Sequence, residues 1–91
     1  MQYLIIEKFK KNKIKQVYKR FEEKGRLMPV GLHFVNSWIT EDVTVCYQVM
    51  ETDDRNKLNQ WISAWSDLVD FEVIPVITSQ QAREIIFESD K

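Results

Sequence analysis

The sequence predicts an α+β domain in which one antiparallel sheet of four strands carries two helices on a single face, and three observations carry that prediction. The first is the stretch 44 to 69. There Val45, Tyr47 and Val49 alternate with Cys46, Gln48 and Met50, an acidic turn follows at Thr52, Asp53 and Asp54, and Leu58, Trp61, Ile62, Trp65, Leu68 and Val69 repeat at three and four residues. A period of two giving way to a period of 3.6 reads as a strand followed by a helix whose wide apolar stripe covers the sheet. The second observation is the short connection at Thr40 to Val43, which joins two strand-like runs and therefore implies an antiparallel hairpin. The third is the order of elements along the chain: strand, helix, strand, strand, helix, strand.

Residues 2 to 9 read as the first strand, with Tyr3, Ile5, Glu7 and Phe9 on one face and Leu4 and Ile6 on the other. Lys10 and Lys11 carry the chain into solvent, and Asn12 is placed to cap a helix near 13 to 24 whose stripe is Ile14, Val17, Tyr18 and Phe21. Gly25 falls where a left-handed residue ends a helix. After a connection holding Pro29, residues 32 to 39 form the second strand and 44 to 52 the third. The second helix is expected over 54 to 69 and the fourth strand over 71 to 77. Pro75 cannot donate to a ladder, so that last strand belongs at a sheet edge or a bulge. Two right-handed crossovers flanking a hairpin give the ferredoxin-like βαββαβ arrangement, with strands ordered 4-1-3-2 and Pro75 at an edge. Thr78 with Gln81 makes a capping box that opens a short C-terminal helix bearing Ala82, Ile85, Ile86 and Phe87.

A chain of 91 residues makes one domain, 1 to 91, small enough that self-association is an inexpensive way to gain core. With 44% hydrophobic and 30% charged residues and only two Gly and two Pro, it has the composition of an ordered globular domain. The single cysteine, Cys46, excludes an internal disulfide and a thiolate metal cluster, and the single histidine, His33, excludes a multi-histidine site. No metal or cofactor is therefore expected. No apolar run is long enough to cross a bilayer, and the start of the chain has no basic leader, so a soluble cytoplasmic protein is expected, with no membrane partner. Nine Lys/Arg against three acids up to Arg26 and four against eleven afterwards divide the chain into a basic and an acidic part. Lys8, Lys10, Lys11, Lys13, Lys15, Lys19 and Arg20 could face phosphate or nucleic acid, but a solvated helix face with complementary packing between protomers is the simpler account, and nucleic acid is not an expected partner.

The segments Asn36-Ser37-Trp38, Cys46 to Asp54, Trp61 with Trp65, Asp67 to Glu72 and Pro75-Val76, taken together, resemble the domain-of-unknown-function family 3303 over essentially the whole chain. That resemblance implies a ferredoxin-like domain that pairs through its open sheet face, similar to dimeric α/β-barrel proteins, and it implies no established activity. Proteins with such barrels include cofactor-independent oxygenases and haem-degrading enzymes, which is a likeness of fold and carries no function.

The candidate site follows from strand parity. If the helices cover Leu4, Ile6, Val35, Ile39, Val45, Tyr47 and Val49, the open face holds Glu7, Asn36, Trp38, Cys46 and Gln48 among aromatic neighbours. Buried amides and a carboxylate need partners, so these five describe either a small-ligand pocket between paired sheets or a polar dimer interface. The sequence thus points to a homodimer that binds or senses a small organic ligand. The alternatives are a cofactor-light enzyme of oxygenase or isomerase type, with Glu7 or His33 handling a proton, and a purely structural interaction module. Cys46 reads as a small apolar filler, Trp61 and Trp65 as core, and Asp53 and Asp54 as residues answering the helix dipole.

Overall fold

The computed structural model of the chain describes residues 1–88. Four strands, β1 (Gln2–Phe9), β2 (His33–Ile39), β3 (Val45–Glu51) and β4 (Val69–Val76), form one sheet in the order β2-β3-β1-β4, with every neighbouring pair antiparallel. Three helices complete the fold: α1 (Ile14–Lys24), α2 (Arg55–Trp65) and α3 (Ser79–Glu88). This is the ferredoxin-like arrangement, and β4, which contains Pro75, lies at an edge as that residue's missing N–H requires.

The helix-covered face is the reverse of the expected one. Tyr3, Ile5, Glu7, Cys46, Gln48 and Met50 are buried, while Leu4, Ile6, Val45 and Val49 are half-buried and Tyr47 is exposed. Tyr3, Ile5 and Met50 join Leu32, Leu58, Trp61 and Trp65 in the main core, with Phe71 and Val73 of β4 packed against it. The Trp61 indole meets Phe71 edge-on, with ring centroids 5.5 Å apart. Both sets in β1 and β3 are apolar enough to be covered, so alternation alone could not decide which one meets the helices; the large α2 rings fit over Tyr3, Ile5 and Met50.

Strand β2 changes phase. Phe34 lies opposite Met50, but the register shifts at Val35, after which Asn36 lies opposite Val49, Ser37 opposite Gln48, Trp38 opposite Tyr47 and Ile39 opposite Cys46. Directly opposed residues point to the same face, so the bulge puts Phe34, Ser37 and Ile39 on the helix side and Asn36 and Trp38 on the open side.

Helix α2 begins as its sequence dictates: the Asp54 carboxylate accepts from the Asn56 N–H at 2.9 Å, and the buried Thr52 hydroxyl accepts from the Asp54 N–H at 3.1 Å. It ends at Trp65, four residues short of the expected end. The Leu68 N–H bonds the Trp65 carbonyl in a turn, and Val69 already pairs with Phe9, so Leu68 and Val69 are buried as turn and strand residues. At α1 the expected Asn12 cap is absent, because Asn12 sits in a left-handed conformation (φ 63°) and Lys13 is the first flanking residue. Gly25 does end the helix at positive φ (68°), its N–H bonding the Phe21 carbonyl. Thr78 and Gln81 form the reciprocal capping box, at 2.9 and 3.0 Å. None of the α3 residues is buried; Ile85 and Phe87 are exposed.

Candidate functional site

Between the sheet and the two helices that cover it lies a cavity of about 200 Å3. Its floor is the helix-facing row of the sheet, Glu7, Phe9, Ser37, Ile39, Cys46 and Gln48. Its walls are Val17, Tyr18 and Phe21 of α1 and Trp61 and Trp65 of α2, with Arg26 from the loop that follows α1. No residue of α1 is fully buried, and Tyr18 and Phe21 remain more than two-fifths exposed (45% and 42%), so α1 roofs the cavity without filling it.

Antiparallel pairing builds the floor. Glu7 lies directly opposite Cys46, and Gln48 is two residues further along β3 on the same face. The Gln48 amide nitrogen donates to a Glu7 carboxylate oxygen, and the Cys46 residue lies directly opposite Glu7 on the neighbouring strand. The amide oxygen of Gln48 is buried without a partner among the described residues, although the residue is only 8% exposed. An orphaned buried acceptor costs about 1–3 kcal/mol, so it is a site where a donor would be welcome.

Burial also sets the electrostatics. It raises the Glu7 carboxyl above its ordinary value of 4.5, an effect that hydrogen bonds from Gln48 and Cys46 and the positive charge of Arg26 only partly offset. The Cys46 thiol is pushed up to about 12, first by burial and then by the neighbouring Glu7 charge, which makes it a poor nucleophile. Burial raises the Tyr18 phenol as well, followed by the charges of Cys46 and Glu7.

Arg26 is held in two ways. Its backbone carbonyl accepts from both the Trp61 and the Trp65 indole N–H, each at 2.9 Å. Its guanidinium carbon lies 3.7 Å from the Phe34 ring centroid and 5.1 Å from that of Phe21. Arg20, by contrast, is committed to structure. It makes a two-pronged bond to Asp67 at 2.8 and 2.7 Å, donates to the Ala64 carbonyl at 2.9 Å, and thereby ties α1 to the end of α2. That hydrogen-bonded pairing holds the Arg20 pKa above and the Asp67 pKa below their ordinary values. Lys10 similarly reaches the Ser66 carbonyl at 3.0 Å and lies 3.9 Å from Asp70, so part of the charge asymmetry is matched within the chain.

Of the five residues singled out from the sequence, the structure brings Glu7, Cys46 and Gln48 together and leaves Asn36 and Trp38 on the opposite face, beside Val49 and Tyr47. The cavity accordingly lies under the helices and not on the open face. The Asn36 side chain bonds the next backbone N–H, that of Ser37, at 2.8 Å, and Trp38 is 55% exposed. His33 is an exposed strand residue opposite Glu51. Sequence reasoning missed Arg26, Ser37, Tyr18 and Phe21 as lining residues. The stripe containing Tyr18 and Phe21 and the position of Arg26 just past a helix-ending glycine were visible, but their convergence depended on which sheet face the helices chose. Among the described residues no group of three or more His, Cys, Asp or Glu is placed to hold a metal ion, and no helix is long and apolar enough to cross a membrane.

A four-stranded antiparallel sheet in this order, roofed on one face by two crossover helices over a cavity, defines a ferredoxin-like α+β protein. The chain belongs to the family described as Domain of unknown function (DUF3303), whose model matches residues 1–90. Among curated proteins and among solved structures none matches it.

Proposed function

We propose that the protein binds a small organic molecule in the cavity between its sheet and helices. The observation that carries this reading is the Glu7–Gln48 pair: a carboxyl and an amide buried side by side, the amide oxygen without a partner, on the floor of a cavity of about 200 Å3 walled by aromatic rings. A core built only for stability gains nothing from an unpartnered amide oxygen, whereas convergent polar groups in an apolar cavity are the usual make-up of a binding site. A ligand bound by the native state alone must raise the melting temperature, by RT ln(1 + [L]/Kd) in free energy. A thermal-shift panel of small metabolites on the full chain is therefore the test. Reproducible shifts that disappear in Gln48→Leu support the reading, and a panel without a single shift contradicts it.

The binder works as a homodimer in this proposal. The open sheet face presents Trp38 at 55%, Tyr47 at 37% and Ile74 at 37% exposure beside half-buried Leu4, Ile6 and Val49. A second copy is the occupant best suited to such a face, since its apolar rings and the opposite charges of Lys8, Asp70 and Glu72 beside them can complement themselves across a twofold axis. Light scattering at micromolar concentration is expected to give twice the chain mass, and a monomer mass would remove the dimer while leaving the cavity reading intact. Glu7 also favours a second reading, proton-transfer catalysis of the isomerase type, because a buried carboxyl whose pKa is raised by desolvation can serve as an acid or base. Turnover of any molecule found by the panel separates that reading from simple binding.

A further inference from the structure

We infer that the cavity takes a small carboxylic acid with a flat apolar body and a hydrogen-bond donor at its far end, the carboxylate held by the Arg26 guanidinium and the donor by Gln48. This rests on the ligand-binding reading above and names the ligand's chemical class. Among the described residues the Arg26 guanidinium has no ion pair and no hydrogen bond, whereas Arg20, six residues earlier on the same side of the fold, has its donors engaged by Asp67 and Ala64. Arg26 is nonetheless fixed, by two indole bonds to its carbonyl and by the Phe34 and Phe21 rings against its side chain. A guanidinium stacked on a ring keeps its in-plane N–H groups for a planar acceptor, and carboxylate is the acceptor whose geometry matches that fork.

The other end of the ligand is set by register. Phe34, on which Arg26 stacks, lies opposite Met50, and Gln48 is two residues along β3 on the same face, a step of about 7 Å. The Gln48 amide oxygen, buried beneath the cavity floor, can only accept, so a group that reaches it through a small shift of the Gln48 side chain is a hydroxyl or an N–H. The helix side of the lining is apolar, Val17, Phe21, Trp61 and Trp65, and faces Glu7, Ser37 and Cys46 on the sheet. Since a cavity of about 150 Å3 accommodates benzene, one of about 200 Å3 suits a ring bearing two small substituents.

Isothermal titration of the full chain with 4-hydroxybenzoate, 4-hydroxybenzyl alcohol and benzoate tests this assignment. The expected result is that 4-hydroxybenzoate binds at least tenfold more tightly than the neutral alcohol of matching shape, and severalfold more tightly than benzoate, which lacks the donor. Arg26→Gln should erase the preference for acid over alcohol, Arg26→Lys should keep part of it, and Gln48→Leu should erase the preference for 4-hydroxybenzoate over benzoate. The wild-type acid-to-alcohol ratio needs no variant, so the proposal stays exposed even if Arg26→Gln folds poorly. Equal binding of acid and alcohol by the wild type overturns the Arg26 anchor and leaves the binding site standing. Failure of all three probes at millimolar concentration, with thermal shifts from ligands of other chemistry, overturns the carboxylic-acid class alone. The same failure without any thermal shift sinks the site as well.

Discussion

On the helix-covered face of the sheet, Glu7, Cys46 and Gln48 lie among Tyr3, Ile5 and Met50 and are shielded from water; on the open face, Trp38, Tyr47 and Ile74 remain partly in contact with it. Glu7 and Gln48 are thus buried on the covered face, while the charged Lys8, Asp70 and Glu72 stay on the open one. That a carboxyl and an amide nevertheless lie inside, with an acceptor left open, is the difference on which the proposed ligand site rests, as the proposed dimer rests on the exposed rings of the open face.

The sharpest way to break this comparison is to remove the wall of the covered face. Trp61→Ala deletes a fully buried ring together with the indole bond to the Arg26 carbonyl, and urea unfolding should show a loss of about 3–5 kcal/mol. A loss under about 1 kcal/mol would mean that α2 does not pack over Tyr3, Ile5 and Met50. Trp38→Glu acts on the other face. It should weaken self-association on the order of 100-fold, about 3 kcal/mol, while the circular dichroism spectrum and melting of the fold stay near wild type. A severe loss of folding in this variant would instead assign Trp38 to a core.

The existence of each strand, the strand order, the edge position of Pro75 and the Thr78–Gln81 box were legible in the sequence, because each depends on local periodicity or on one residue's backbone chemistry, although the fourth strand begins at Val69, two residues before the expected 71. The choice of covered face was not. In β1 and β3 both alternating sets are apolar enough to be buried, and the decision is made by how well the Leu58, Trp61 and Trp65 side chains nest on Tyr3, Ile5 and Met50, a packing fact that periodicity does not contain. The bulge at Val35 was hidden for a related reason: Phe34 and Val35 are adjacent and both apolar, so the change of phase leaves no break in the pattern. Asn36 and Trp38 were thus assigned to the side of Glu7 by an alternation that stops holding two residues into the strand. Helix α2 was read four residues too long because Leu68 and Val69 continue its apolar spacing while belonging to a turn and a strand.

Two smaller effects sharpen the account of the covered face. Cys46, with its thiol raised to about 12, should react with iodoacetamide at pH 8 at least tenfold more slowly in the native chain than in urea. Equal rates would put the thiol in water. Glu7 should leave its mark on pH dependence. Its folded-state pKa lies above the ordinary 4.5, so its contribution to stability is fully present below that value and is lost as pH rises through the folded-state pKa. Glu7→Gln should abolish that part of the decline and melt at or above the wild-type temperature at pH 8, whereas a variant that loses stability equally at all pH values would point to a structural carboxylate that is charged in the folded state.

The most direct measurement is the titration of the Glu7 carboxyl carbon by 13C NMR, with the Gln48 side-chain amide followed in the same samples. The account predicts a Glu7 midpoint above 4.5 and a Gln48 amide signal that moves with it, because the two groups are buried and share a hydrogen bond on the floor of the cavity. A midpoint at or below 4.5, with the Gln48 amide indifferent to pH, would place Glu7 in solvent and contradict the assignment of the cavity to the helix-covered face.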